Sequence, residues 1–489
     1  MDDLISRALD RATLKGAQYV DVRVAQTTEQ MFAVKNGLVD AVEHNESTGF
    51  GVRALVGGRW GFASSHLLTA EEADRVTDLA VTIAKSSALA PGEAVRLGSP
   101  VRSRGQYVTP LRINPFSISA EAKIDLLMKA DAAMARVRGV TVRHGRLTFL
   151  REEKHFANNE GAQTHQAIYE SGAEIVATAV DGDEVQRRTY PNSGGGQGCA
   201  GWEYVLAMDL PGNAERIASE AVALLSAEEC PRDMRTTVIL GGSQVALQVH
   251  ESCGHPAELD RVFGAEAAYA GTSFLTPEKL GRFRYGAEIV NLTHDAVTPT
   301  GLGTFGWDDE GVAATTTPIV REGVFVGYLM SRETAAQLGL APDRFNRGLE
   351  SNGCMRAAGW NHIPLIRMAN VSLAPGEWEL DDLIADTNDG IFMDTNHAWS
   401  IDDRRWNFEF GMEIGWEIKK GKRGRMLKNC TYTGITPEFW AGCDAICSAK
   451  YWTMWGTPNC GKGQPQQVVH TGHGAAPARF RNVRVGALG

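Results

Sequence analysis

The sequence predicts an α+β fold: an N-terminal α/β, sandwich-like half with antiparallel strands, and a C-terminal, mostly antiparallel β, barrel-like domain carrying one motif helix. Three observations predict it. Short runs alternate apolar and polar residues, the period of a half-buried strand. Turn dipeptides such as Asn36-Gly37 and Gly57-Gly58 join those runs, and 53 glycines punctuate the 489 residues. Helical periodicity is confined to a few stretches between the strands.

Residues 2–15 read as a helix, with Leu4, Ile5, Ala8, Leu9 and Ala12 on one face. The alternating run YVDVRVAQ follows. QMFAVKNGLVDAVEH is two strands folded at Asn36-Gly37, and GFGVRALVGGRWGFASS is a second hairpin. Thr69, with Glu72 three residues on, is a capping box that opens a helix to about Ser87. This α+β domain spans 1–95. Residues 96–116 are rich in Gly, Pro and Arg and read as a linker. A central α+β domain spans 117–228, with helices near Ser117 to Arg138 and Asn213 to Glu228. Its run SGGGQGC is too Gly-rich for helix or strand. The C-terminal, β-rich domain, 231–489, opens on RTTVILGG. Ser243 then caps the helix QVALQVHESC. SRETAAQL, from Ser331, is a further helix among Gly-punctuated strands.

The net charge of −10 argues against a nucleic-acid partner, which calls for a basic face. No apolar run approaches the ~20 residues of a membrane span. The N-terminal stretch lacks the basic start and apolar block of a secretory signal, which predicts a cytoplasmic chain. The eight cysteines are sparse for this length and predict buried thiols rather than a disulfide framework.

The chemistry concentrates in QVALQVHESCGHPAELD. In the familiar H-E-x-x-H zinc motif the histidines sit four apart on one helical face. Here His250 and His255 sit five apart. At about 100° per residue, five steps place His255 about 140° round from His250, so an unbroken α-helix cannot aim both at one ion. Gly254 is a helix terminator and Pro256 disfavours α geometry at His255. The spacing therefore predicts a helix that stops at Cys253 or Gly254, with His255 swinging back. Glu251 then stands beside the ion as general base for a metal-bound water, the arrangement of a metalloprotease. Two histidines are an incomplete set, since a catalytic zinc takes three protein ligands. Cys253, Glu258 and a distant residue such as Cys460, in TPNCGKGQP, are the candidates, and spacing does not choose between them. The bland alternative is a hydrogen-bonded helix histidine and an unrelated turn histidine.

Other residues invite roles near such a site. Asp308, in GWDDEG, is a candidate to anchor a peptide. Arg367 is a candidate for a substrate carboxylate or oxyanion. His470, with His473 in VVHTGHG, is a candidate lining residue. Cys443 and Cys447, four apart, would face together on a helix.

HESCGHPAELD, RMAN at 367–370, NCGKGQPQQVVHTGHG near the C-terminus and the opening VDVRVAQ…KNGLVDAVEHNESTGFGVRAL occur in the order found in one family. In these segments the chain resembles the TldD/PmbA family of metalloproteases, in its TldD-like, metal-binding branch. The resemblance implies zinc, one ion per active subunit, held by His250, His255 and Cys460, with Glu251 as base. It implies hydrolysis of unfolded or linear peptides, and a homodimer or a heterodimer with a motif-lacking TldE/PmbA-like subunit. The chain departs from the family where relatives carry a GGGQVD-like segment and this chain reads DTNHAWSIDDRRWNFEF. Two alternatives accompany this reading: a tailoring amidase for one peptide-derived product, and a non-catalytic peptide-binding subunit.

Overall fold

The computed structural model describes residues 1–339 and 350–486, so residues 340–349 and 487–489 of the expected C-terminal domain lie outside the described residues. The first half runs α1 (Asp2–Leu14), β1 (Tyr19–Lys35), β2 (Leu38–Val56), β3 (Arg59–Ser65), α2 (Ala70–Ser87), β4 (Arg104–Val108), α3 (Ala120–Ala135), β5 (Val140–Asn158), β6 (Gln163–Asp181), β7 (Glu184–Tyr190), β8 (Gly196–Gly198), α4 (Trp202–Ala207) and α5 (Leu210–Leu225). The mixed α+β class is as the sequence predicts.

Asn36 and Gly37 have φ of 49° and 77°, the left-handed pair that a two-residue hairpin turn requires. The expected interruption after YVDVRVAQ is absent, because β2 pairs with β1 along its whole length. Thr69 caps α2, its hydroxyl accepting the Glu72 N–H. The strands form one sheet in the order β3-β2-β1-β5-β6-β4, with β7 and β8 also on β6. Pairing of β1 with β5 thus joins the two expected N-terminal domains edge to edge. The segment expected as a linker contributes β4, parallel to β6. Gly-rich SGGGQGC contributes β8. Short strands of this kind draw on backbone pairing alone, which composition does not register.

The long strands have a physical reason. One face of β1 carries Val22 and Val24 under α1 and α2, and further along Phe32 and Val34 under α3 and α5. A single strand serves two helical layers. The opposite face presents Asp21, Arg23, Arg53 and Lys154, all buried.

The second half runs β9 (Glu228–Glu229), β10 (Met234–Leu240), α6 (Gly242–Val249), α7 (Leu259–Val262), β11 (Leu292–Asp295), β12 (Thr316–Arg321), β13 (Val324–Phe325), α8 (Arg332–Leu338), β14 (Met355–Arg356), β15 (Leu365–Ile366), β16 (Asn370–Leu373), then β17 (Asp389–Ile401), β18 (Asn407–Lys419), β19 (Lys422–Lys428), β20 (Cys430–Ile435), β21 (Cys443–Ile446), β22 (Thr453–Lys462), β23 (Gln467–Ala475) and β24 (Ala478–Val485). Strands β17-β10-β24-β20-β18 close into a barrel, with β17 pairing back onto β18. A second sheet has the order β13-β12-β11-β16-β23-β22. Helix α6 leaves β10 through Gly241, which takes the capping position expected of Ser243, and packs between β17 of the barrel and β16 and β23 of that sheet. Cys443 opens β21 rather than sharing a helix with Cys447, and both thiols are free and buried.

Candidate metal centre

The helix of the motif widens where it was expected to stop. Residues His250–Gly254 continue α6 as a π-turn, and the His255 N–H donates to the His250 carbonyl, an i→i+5 bond. His255 itself is helical, at φ −57° and ψ −43°. The extra residue between the histidines is absorbed by the wider turn, and both rings lie on one side with centroids 4.8 Å apart. Side chains pay for the carbonyls that widening frees. The Ser252 hydroxyl donates to the Gln248 carbonyl at 2.6 Å, and the Tyr285 hydroxyl donates to the Ser252 carbonyl. Trp440 Nε1 donates to Ser252 Oγ at 2.9 Å. Gly254 is not a left-handed terminator: its φ is −71°. It is glycine because a Cβ there would stand 2.0 Å from Met368 Sδ.

Cys460 arrives from β22. A register shift between Thr457 and Cys460 accommodates Pro458, after which Cys460 pairs with Val469. Cys460 and Lys462 are two apart on a strand, so both side chains leave the same face. One donor atom each from His250, His255 and Cys460 lies within 4.8 Å of the other two, and all three residues are buried. Cys460 Sγ is 3.7 Å from His255 Nε2. Burial pushes the Cys460 thiol up, but His250, His255 and Arg367 outweigh it and hold the thiol well below its usual range. A thiolate and two imidazole nitrogens suit a borderline-soft divalent metal.

The remaining ring nitrogens are engaged outside the cluster. His255 Nδ1 is 3.0 Å from Glu258 Oε2, and Glu258 in turn meets Arg261 at 3.3 Å and Lys462 at 3.4 Å. Lys462 Nζ also reaches Asp260 at 2.7 Å. His250 Nδ1 is 2.7 Å from His473 Nε2, and His473 Nδ1 donates to the Val371 carbonyl at 3.0 Å. Such outer partners fix ring orientation and tautomer. Glu258 thus lies outside the three-donor cluster, on the far ring nitrogen of His255. Cys253 is also outside the cluster: Tyr285 donates to its sulfur at 3.1 Å, and burial pushes the thiol up to about 12.

Glu251 is buried beside the cluster. Burial pushes its carboxyl up, but His250, His255 and Arg405 hold it below its usual range. Arg405 Nη1 donates to Glu251 Oε2 at 2.9 Å. Arg405 was not foreseen. It lies in the DTNHAWSIDDRRWNFEF segment, where β17 turns into β18, and only the closed barrel brings it to α6.

The three remaining candidates go elsewhere. Arg367 is fully buried, and both its terminal nitrogens donate to backbone carbonyls, those of Gln467 and Cys460. It clamps the hairpin that carries Cys460. Asp308 accepts from the Glu310, Val312 and Met355 N–H groups. Its turn docks the polar face of the first sheet, where Asp309 meets Lys154 at 2.8 Å and Arg23 at 3.8 Å. His470 points away from the cluster to Glu170, 2.5 Å distant, in a cleft of about 260 Å³ that Gln30, Gln197 and Pro458 also line.

Three family models match in order: PmbA/TldA metallopeptidase domain 1 at residues 20–84, the central domain at 113–227, and the C-terminal domain at 233–487. The chain belongs to the PmbA/TldD metallopeptidase family. It is 28% identical over 96% of its length to a metalloprotease of Methanothermobacter thermautotrophicus, covering 95% of that protein. It is 23% identical to the metalloprotease TldD homolog of Haemophilus influenzae, over 96% of this chain and 93% of that one. A match to the zinc metalloprotease TldD homolog of Saccharolobus solfataricus is 25% identical and covers 42% of each chain. Among solved structures, TldE of Thermococcus kodakarensis has a TM-score of 0.76 at 17% identity, with all of both chains covered. A Thermotoga maritima protein titled a putative modulator of a DNA gyrase scores 0.78 at 17% identity over 99% of both chains. This PmbA/TldD chain is accordingly a metallopeptidase, a hydrolase. No helix among the described residues is long and apolar enough to cross a membrane.

Proposed function

We propose that the chain hydrolyses peptide bonds with one zinc ion held by His250, His255 and Cys460 and with Glu251 as general base. The observation that carries this is the convergence of two imidazole nitrogens and a thiol sulfur, with the neighbouring Glu251 a buried carboxylate paired to Arg405. The zinc metalloprotease among the relatives supports the choice of metal. Bound zinc would polarise a scissile carbonyl and lower the pKa of a water molecule. Glu251 would accept a proton from the attacking water and return it to the leaving amine. Arg405 holds one Glu251 oxygen and keeps the group ionised before the proton arrives. Burial of the donors excludes competing solvent. His470, in the cleft beside Pro458, remains a candidate to meet a linear peptide. We take the chain to assemble as a homodimer or with a motif-lacking TldE-like subunit, TldE being a protein of the same fold.

Glu251→Gln tests the mechanism. Turnover of an unfolded peptide falls by a factor of about 10² to 10⁴ while bound zinc is unchanged. Retained peptidase activity would sink the assignment. Mass in solution, alone and with a TldE-like partner, tests the assembly.

A further inference from the structure

A second group of metal-type side chains lies on the first sheet, away from the elements that build the His250 cluster. Glu153 and His155 are two apart on β5, so both side chains leave one face. His165 on β6 is the direct cross-strand partner of His155. The two imidazoles stack with centroids 4.2 Å apart and planes at 20°. His165 Nε2 is 3.2 Å from Glu153 Oε1. One donor atom from each of the three lies within 4.8 Å of the other two, and all three side chains are half-buried. His155 and His165 line a cleft of about 510 Å³ between α1 and strands β4, β5 and β6. Asp2, from the first turn of α1, lines the same cleft.

We propose that Glu153, His155 and His165 form a second metal site, for a divalent transition-metal ion such as zinc. The chemistry selects that class: imidazole suits zinc, copper, nickel and iron, whereas calcium and magnesium take oxygen donors. The geometry is close to ready. Donors about 2.0–2.1 Å from a tetrahedral zinc stand roughly 3.4 Å apart, so the His165–Glu153 edge already fits and ring rotation closes the others. Glu153 has a second partner, Arg151, but that guanidinium takes Oε2 at 2.5 Å and leaves Oε1 on the side of the histidines. Two histidines and one carboxylate leave coordination positions open. Those positions face the cleft, where the Asp2 carboxylate or a small anionic ligand completes the set. Directly opposed strand residues hold their Cβ atoms about 4.5–5.5 Å apart, so the sheet itself fixes the spacing of the two histidines. The ion would pin β5 to β6 under α1.

The test is metal content of the full-length protein, stripped with chelator and re-equilibrated with buffered zinc. The wild-type chain is expected to hold one zinc more than the His155→Ala/His165→Ala double variant. Cys460→Ser is expected to keep that ion. Cobalt(II) separates the two sites, since only a site with Cys460 gives thiolate charge-transfer absorption. Glu153→Gln, which leaves both rings and the sheet in place, is expected to weaken the second ion about tenfold or more. Equal zinc in wild type and the double variant, or unchanged affinity in Glu153→Gln, overturns the proposal, whatever the cobalt spectrum reports for Cys460.

Discussion

His473 Nε2 lies 2.7 Å from His250 Nδ1, and this contact decides which nitrogen His250 offers to the cluster. His473 donates from Nδ1 to the Val371 carbonyl, so its Nε2 is the lone-pair end. His250 must then carry its proton on Nδ1 and present a bare Nε2. His473→Ala removes that lock without touching a donor atom. Zinc affinity, measured against a competing chelator, should fall about 10- to 100-fold while the fold persists. Unchanged affinity would show that the tautomer is fixed by other means.

Cys460→Ser changes one atom of the donor set. A serine hydroxyl stays protonated at neutral pH, whereas the thiol beside His250 and His255 is held far below its usual range. The zinc-to-protein ratio after dialysis should drop by one, any ion at His155 and His165 being common to the variant and the wild type. A ratio equal to wild type would remove Cys460 from the donor set.

The local signals in the sequence translate directly into local structure. Asn36-Gly37 is a hairpin turn, Thr69 caps α2, and Ser331 opens α8 with a reciprocal capping box to Thr334. Each rests on backbone geometry within a few residues. The spacing of His250, Glu251 and His255 is legible for the same reason, but the fifth residue is absorbed by a wider turn and not by the expected break in the helix. Ser252, by donating to the Gln248 carbonyl, makes a π-turn affordable, and Trp440 and Tyr285 complete it from distant parts of the chain. Cys460 was reachable through family resemblance and not through spacing. Arg405 and His473 meet the motif only through barrel closure and the pairing of β16 with β23, which no local pattern encodes. Arg367 reads as a substrate contact from the sequence because it is an arginine near a motif; in the fold its two terminal nitrogens donate to the Gln467 and Cys460 carbonyls.

Gly254→Ala probes the π-turn. The added methyl would stand 2.0 Å from Met368 Sδ and 3.2 Å from its Cγ, so Met368 or the turn must shift. Overpacking of this kind costs about 1–3 kcal/mol. Thermal or urea unfolding should report that loss, and zinc affinity should fall with it, because His250 and His255 flank the strained turn. If Met368→Ala added to Gly254→Ala restores both, the clash is the cause. Wild-type stability in the single variant would show that the turn has room for a side chain.

The GWDDEG turn should make stability depend on pH. Asp308 and Glu310 are buried together, and burial with the Glu310 charge pushes the Asp308 carboxyl up to about 8. Burial raises Glu310 as well. In the unfolded chain both carboxyls return to ordinary values, 3.8 for Asp308 and 4.5 for Glu310. Between about 4 and about 8 the native pair therefore binds a proton that the unfolded chain does not. Unfolding releases it, so stability is full at the acid end of that window and falls as pH rises toward 8. Glu310→Gln keeps the shape and an acceptor for the Arg332 N–H while removing the like charge. The melting temperature of the wild type should drop from pH 5 to pH 8 more steeply than that of Glu310→Gln. Parallel curves would mean that the pair shares no proton. The effect matters for the site because this turn, through Asp309 with Lys154 and Arg23, joins the first sheet to the half of the chain that carries His250 and Cys460.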